Sequence, residues 1–99
     1  MFYMILGREA DNALALRQQA RPAHVDRLKA LSDRGRLMLA GPLPAIDAAD
    51  PGPAGFSGSL VVAEFDSLEA ARAWASDEPY LLAGAWLDVD VKPFVKVLP

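Results

Sequence analysis

The stretch SLVVAEFDSLEAARAWA, Ser59 to Ala75, holds two periodicities, and the switch between them decides the architecture. Ser59 to Phe65 is an apolar, β-branched run of strand length. Asp66 and Ser67 then open a helix, with the spacing of Asp66 and Glu69 giving capping-box character. Leu68, Ala71, Trp74 and Ala75 recur at helical intervals and supply its apolar face. A strand handing over directly to an amphipathic helix is one half of a β-α-β unit.

Towards the C-terminus the helix must end before Pro79, because the residue ahead of a proline is pushed out of helical geometry. Tyr80 to Ala83 adds a further turn. Trp86 to Val97 then alternates strictly, with Leu87, Val89, Val91, Pro93, Val95 and Val97 on one face. Asp88, Asp90, Lys92, Phe94 and Lys96 occupy the other face.

Towards the N-terminus, Asp47 to Gly58, with Pro51, Gly52, Pro53 and Gly55, reads as a long mobile loop. Leu37 to Ala45 (LMLAGPLPA) is a strand interrupted at Gly41-Pro42. Before it, Pro22 to about Arg34 reads as a helix, since proline suits a first helical position. Gly35 stands where a left-handed cap is expected. A preceding helical stretch breaks near Arg21-Pro22, a polar segment spans Arg8 to Asn12, and Met1 to Gly7 is the first strand.

The order is β-α-β-β-α-β, a ferredoxin-like α+β arrangement. Right-handed crossovers place both main helices on one face of a four-stranded antiparallel sheet. The other face also carries apolar side chains: Phe2, Met4 and Leu6 alternate with Tyr3 and Ile5, and Leu60 and Val62 with Val61, Ala63 and Phe65. A sheet apolar on both sides needs cover on both sides, so a homodimer through the open sheet face is expected.

Composition agrees with one domain spanning 1–99. The hydrophobic share of 53% is high for a chain with so little interior to offer. Net charge is −3 and the basic residues are scattered singly, which argues against nucleic-acid binding. With no cysteine, disulfides and thiolate chemistry are excluded. The apolar run at the N-terminus is too short for a signal peptide or membrane span, so the cytoplasm is expected. No cofactor-binding or metal-ligand spacing is present, and no cofactor or metal is expected.

His24 is the single histidine. With Leu28 and Leu31 it lies at i, i+4, i+7 on the buried stripe of the second helical stretch. A lone histidine there is commonly a core residue, but in the first turn of a helix it is favoured as a neutral imidazole able to take a proton. Such a base needs an orienting carboxylate, for which Asp77 and Glu78 are the candidates. Both otherwise read as solvated charges at a helix C-terminus, where they oppose the dipole. Arg21 could hold an anionic group; Tyr3, Ser59 and Tyr80 could orient a ligand or merely pack. Gly41-Pro42 inside a strand marks a bulge or a close approach by a ligand. Trp74 and Trp86 read as core.

The segments Arg21 to Ala45, Asp50 to Ala75 and Glu78 to Pro99 carry, in order, R-P-x-H, G-R-L-x-x-A-G-P, F-x-G-S, F-x-S-L-E-A-A, P-Y-x-x-A-G and V-x-P-F. Together they resemble the YciI-like (YCII-related) family. The resemblance implies the dimeric α+β barrel and a pocket built around the histidine of R-P-x-H, here His24. It also implies an acid ahead of the later proline, usually aspartate directly before it. That position holds Glu78, with Asp77 one step earlier, so the partner's identity stays open between them. Ser59, Arg21, Gly41 and Pro42 match other recurrent family positions. Some relatives act on chlorinated aromatic breakdown products, which implies proton-transfer, elimination or hydrolysis chemistry on a small aromatic or anionic substrate. The rival expectation is a non-catalytic, metabolite-binding dimer.

Overall fold

The computed structural model describes Met1 to Pro99. Its strands are β1 (Phe2–Glu9), β2 (Leu37–Pro44), β3 (Phe56–Glu64) and β4 (Trp86–Phe94). The helices are α1 (Leu14–Asp33), α2 (Leu68–Ser76) and the single turn α3 (Pro79–Leu82), with a 3₁₀ turn at Gly52–Ala54. The strands form one antiparallel sheet in the order β2-β3-β1-β4. This is the ferredoxin-like α+β fold.

Alternation along the two central strands sorts their side chains between faces. Tyr3 and Ile5 of β1, with Val61 and Ala63 of β3, pack beneath Leu31 of α1 and Ala71 and Ala75 of α2 to form the main core. Phe2, Met4 and Leu6 point to the opposite face and are half-buried. They pair in register with Glu64, Val62 and Leu60. β4 is an edge strand, and its Asp88, Asp90 and Lys92 sit opposite Arg8, Leu6 and Met4 on that same outer face. No helix is long and apolar enough to cross a membrane.

Three local expectations change. First, α1 is one continuous helix from Leu14 to Asp33 with Pro22 inside it, not two pieces meeting at Arg21-Pro22. Proline removes one backbone donor and disfavours a helix interior. Here buried anchors on both sides, Arg17 and His24, hold the helix through it. Gly35 does adopt the left-handed conformation after the helix, at φ 69°. Second, β2 is not interrupted at Gly41-Pro42. Both residues pair with β3, and the register shifts lie between Leu37 and Leu39 and between Leu43 and Pro44. Third, β3 begins at Phe56, and the Asp47–Gly58 segment is tied down by Ala45 N–H donating to Gly55 O (2.9 Å) and by buried Pro51.

Smaller adjustments matter for the site. α2 is capped by Ser67, whose side chain accepts from Ala70 N–H at 3.0 Å, rather than by Asp66. Between Arg8 and Glu9 the β1–β4 register shifts, so that Trp86 follows the bulge and lies buried on the helix side of the sheet.

Candidate functional site

Continuity of α1 through Pro22 puts Leu14, Arg17, Arg21, His24 and Leu28 on one face, at helical spacings of three and four. That face looks across the β2–β3 end of the sheet and encloses a cavity of about 350 Å³. The helix supplies Arg17, Arg21 and His24 to its wall, the sheet Gly41, Pro42 and Ser59, and α3 Tyr80. Phe56 closes the loop side.

His24 is 7% exposed and stands midway along α1. The expectation that a helix N-terminus governs its charge therefore does not hold. Its surroundings are aromatic instead. The ring stacks on Tyr80 at 4.0 Å between centroids and meets the edge of Trp86 at 6.2 Å. Nδ1 lies 2.5 Å from Glu78 Oε1. The other ring nitrogen makes no hydrogen bond to the protein, and the residue lines the cavity.

Glu78 is fully buried, at 0% exposure. It serves as the N-cap of α3, its Oε1 accepting from Tyr80 N–H at 3.2 Å, with Pro79 at the first helical position. The carboxylate thus sits at the favourable end of a helix, not at the unfavourable end that the sequence suggested. Its second oxygen lies 3.5 Å from Arg27 Nη1. Arg27 is fixed in turn by donating to Trp74 O at 2.9 Å and by stacking over the Trp74 ring at 4.2 Å. Asp77 is the exposed C-cap of α2 and touches none of these groups. Of the two candidate carboxylates, the structure brings Glu78 to His24.

Arg17, which sequence reasoning passed over, anchors the far wall. It is 5% exposed and donates to both oxygens of Glu9 (2.9 and 3.0 Å), to Gly58 O (3.0 Å) and to Ser59 Oγ (2.7 Å). Its guanidinium lies between the Phe56 and Tyr80 rings at 4.7 and 4.6 Å. Burial pushes the Tyr80 phenol above its ordinary value of 10.0; Arg17 and Arg21 oppose that rise, and Glu78 adds to it.

Six residues singled out in the sequence meet at this cavity: Arg21, His24, Gly41, Pro42, Ser59 and Tyr80. Tyr3 does not. It is buried in the main core, its ring 6.3 Å from that of Phe65. The missed residues are Arg17, Glu9, Arg27 and Phe56. Arg17 was legible as a member of the α1 face once the helix is run through Pro22, whereas Arg27, whose spacing puts it on the outward side of the helix, turns in to Glu78 and Trp74. Glu9 has no sequence signal of its own.

Fold and cavity together define a ferredoxin-like α+β protein with a buried histidine–carboxylate pair at the wall of a small-molecule-sized cavity. The chain belongs to the YCII-related domain family, whose model matches residues 1–95. It is 55% identical over 97 residues to Protein YciI of Escherichia coli, covering 98% of this chain and 99% of that one. A Haemophilus influenzae protein is 48% identical over the same length, again covering 98% and 99%. Among solved structures, the 5-chloro-2-hydroxyhydroquinone dehydrochlorinase TftG of Burkholderia phenoliruptrix, in complex with 2,5-dihydroxybenzoquinone, superposes with a TM-score of 0.81. That match covers 96% of this chain and 94% of TftG at 22% identity, and it shows a shared fold.

Proposed function

We propose that this chain is a small-molecule enzyme in which neutral His24 takes and returns a proton, oriented by Glu78. The observation that carries the reading is the 2.5 Å contact between His24 Nδ1 and the buried Glu78 carboxylate. A carboxylate on one ring nitrogen selects the tautomer that leaves the other nitrogen free as a base, and it stabilises the imidazolium that forms. Arg27 Nη1, 3.5 Å from the second Glu78 oxygen, supports the placement of that carboxylate beside the imidazole. A positioned base of this kind contributes about 10²–10⁴ in rate.

The cavity volume suits a single-ring substrate. Phe56 and Tyr80 offer aromatic walls, and Arg21 at the rim favours an acid or a phenolate. The chemistry of TftG, a dehydrochlorinase by name, supports proton abstraction from an oxygenated ring as the class of reaction. The test is solvent-deuterium exchange across a panel of hydroxylated aromatics and enolisable ring ketones, followed by NMR, with chloride release for chlorinated members. His24→Gln and His24→Ala should abolish exchange. Exchange or turnover at wild-type rates in both variants rules the reading out. A tightly retained metabolite that undergoes neither would favour the binding-protein alternative.

The assembly proposed is a homodimer through the outer sheet face. Met4, Leu6 and Leu60 are half-buried there and Leu39 is exposed, which supports a second copy as their cover.

A further inference from the structure

We infer that Ser59 and Arg17 form an anionic-oxygen site opposite His24, in which the Ser59 hydroxyl donates to a negatively charged oxygen of the substrate and Arg17 sets its direction. The inference rests on the reading of His24 as the proton acceptor. It adds the group that receives the negatively charged oxygen of the substrate ring, the Ser59 hydroxyl directed by Arg17.

Arginine has donors only, so in the 2.7 Å contact between Arg17 Nη2 and Ser59 Oγ the serine must be the acceptor. The Ser59 proton is therefore turned away from Arg17. Ser59 is 2% exposed, its hydroxyl makes no hydrogen bond as a donor to any protein group, and it lines the cavity. A buried O–H with a charge-assisted bond on its oxygen and no acceptor for its proton is a donor waiting for a ligand.

The position is rigid. Ser59 lies in the centre of the sheet opposite Gly7 on one side and Pro42 on the other. Arg17 is held by both oxygens of Glu9, by Gly58 O and between two aromatic rings, so it cannot swing away.

Charge favours an anion. Arg17 is neutralised by Glu9, and Glu78 by Arg27. Arg21, exposed at the rim, is the one cation of the lining in no ion pair. The cavity thus carries net positive charge when His24 is neutral. In turnover a C–H bond of the ring breaks and its proton passes to the free nitrogen of His24. The electron pair moves through the conjugated carbonyl to rest on the oxygen at Ser59, so no external oxidant or reductant is involved.

The test uses 4-nitrophenol, whose visible absorption separates phenol from phenolate, with 4-nitroanisole as the uncharged control. At a pH where the free phenol is mostly protonated, wild type should bind it as the phenolate and should bind the anisole far more weakly. Ser59→Ala should weaken phenolate binding about tenfold or more, the range for a hydrogen bond to a charged group. Arg17→Lys should raise the titration midpoint of the bound chromophore, a readout that loss of packing alone would not move. Ser59→Ala removes a single oxygen and leaves Arg17 bound to Glu9 and Gly58, so it remains informative if Arg17→Lys fails to fold. No phenolate binding by wild type, preference for the neutral form, or unchanged affinity in Ser59→Ala would each overturn the inference. If exchange depends on His24 while phenolate binding ignores Ser59, only this site fails. If binding depends on Ser59 and no exchange depends on His24, only the catalytic reading fails.

Discussion

The indole of Trp86 covers Gly7 so closely that a β-carbon on Gly7 would lie 2.2 Å from two of its ring carbons. Trp86 reaches this place because the β1–β4 register shifts just beyond, between Arg8 and Glu9. From there its ring meets Tyr80 at 5.7 Å and the edge of His24 at 6.2 Å. The missing side chain of a glycine in the first strand is therefore what lets the histidine's aromatic surroundings assemble.

Gly7→Ala should accordingly destabilise the fold. Trp86 is buried on all sides, so the clash is met by moving a whole ring rather than the end of a flexible chain. Overpacking of this kind costs about 1–3 kcal/mol, and the upper end is expected here. Urea unfolding followed by tryptophan fluorescence measures it; an unchanged midpoint contradicts the packing described.

Glu78→Gln keeps the volume and the cap on Tyr80 N–H but removes the charge that faces both His24 and Arg27. Breaking a buried pair from one side leaves the other charge without its partner, at about 3 kcal/mol. Exchange activity should fall along with stability. Asp77→Asn, at the exposed C-cap of α2, should leave both near wild type. Equal effects of the two substitutions would remove Glu78 from its assigned role.

Tyr80 should ionise above 10.0, because burial disfavours its phenolate. The sign follows from linkage: the folded chain holds this proton more tightly than the unfolded chain. The stability due to the neutral phenol is thus fully present below the unfolded pKa and is lost as pH rises through the folded one. The wild type minus Tyr80→Phe difference in ultraviolet titration should have its midpoint above 10.0. A midpoint at or below that value contradicts the burial argument.

Sedimentation at micromolar concentration should give a dimer. Leu60→Glu, placing a charge at the centre of the outer face opposite Leu6, should yield monomers. A folded wild-type monomer at that concentration would dispose of the proposed interface.

The order of strands and helices could be read from periodicity alone, because alternation along β1 and β3 and the three-to-four spacing of α2 are local properties of the chain. His24 could likewise be placed on an inward stripe by its spacing to Leu28 and Leu31. Two things could not be read. Pro22 suggested a break, since backbone chemistry disfavours proline inside a helix. Only the buried anchoring of Arg17 to Glu9 and Ser59, and of His24 to Glu78, keeps α1 whole; with the helix split, Arg17 fell off the face it shares with the histidine. The choice between Asp77 and Glu78 was also beyond reach, because both are adjacent carboxylates in a turn. It was decided by the direction in which α3 starts. Capping that helix turns Glu78 inward to full burial and leaves Asp77 facing out. Elements follow from side-chain spacing, which is local; ion pairs across tens of residues exist only after the sheet has brought their ends together.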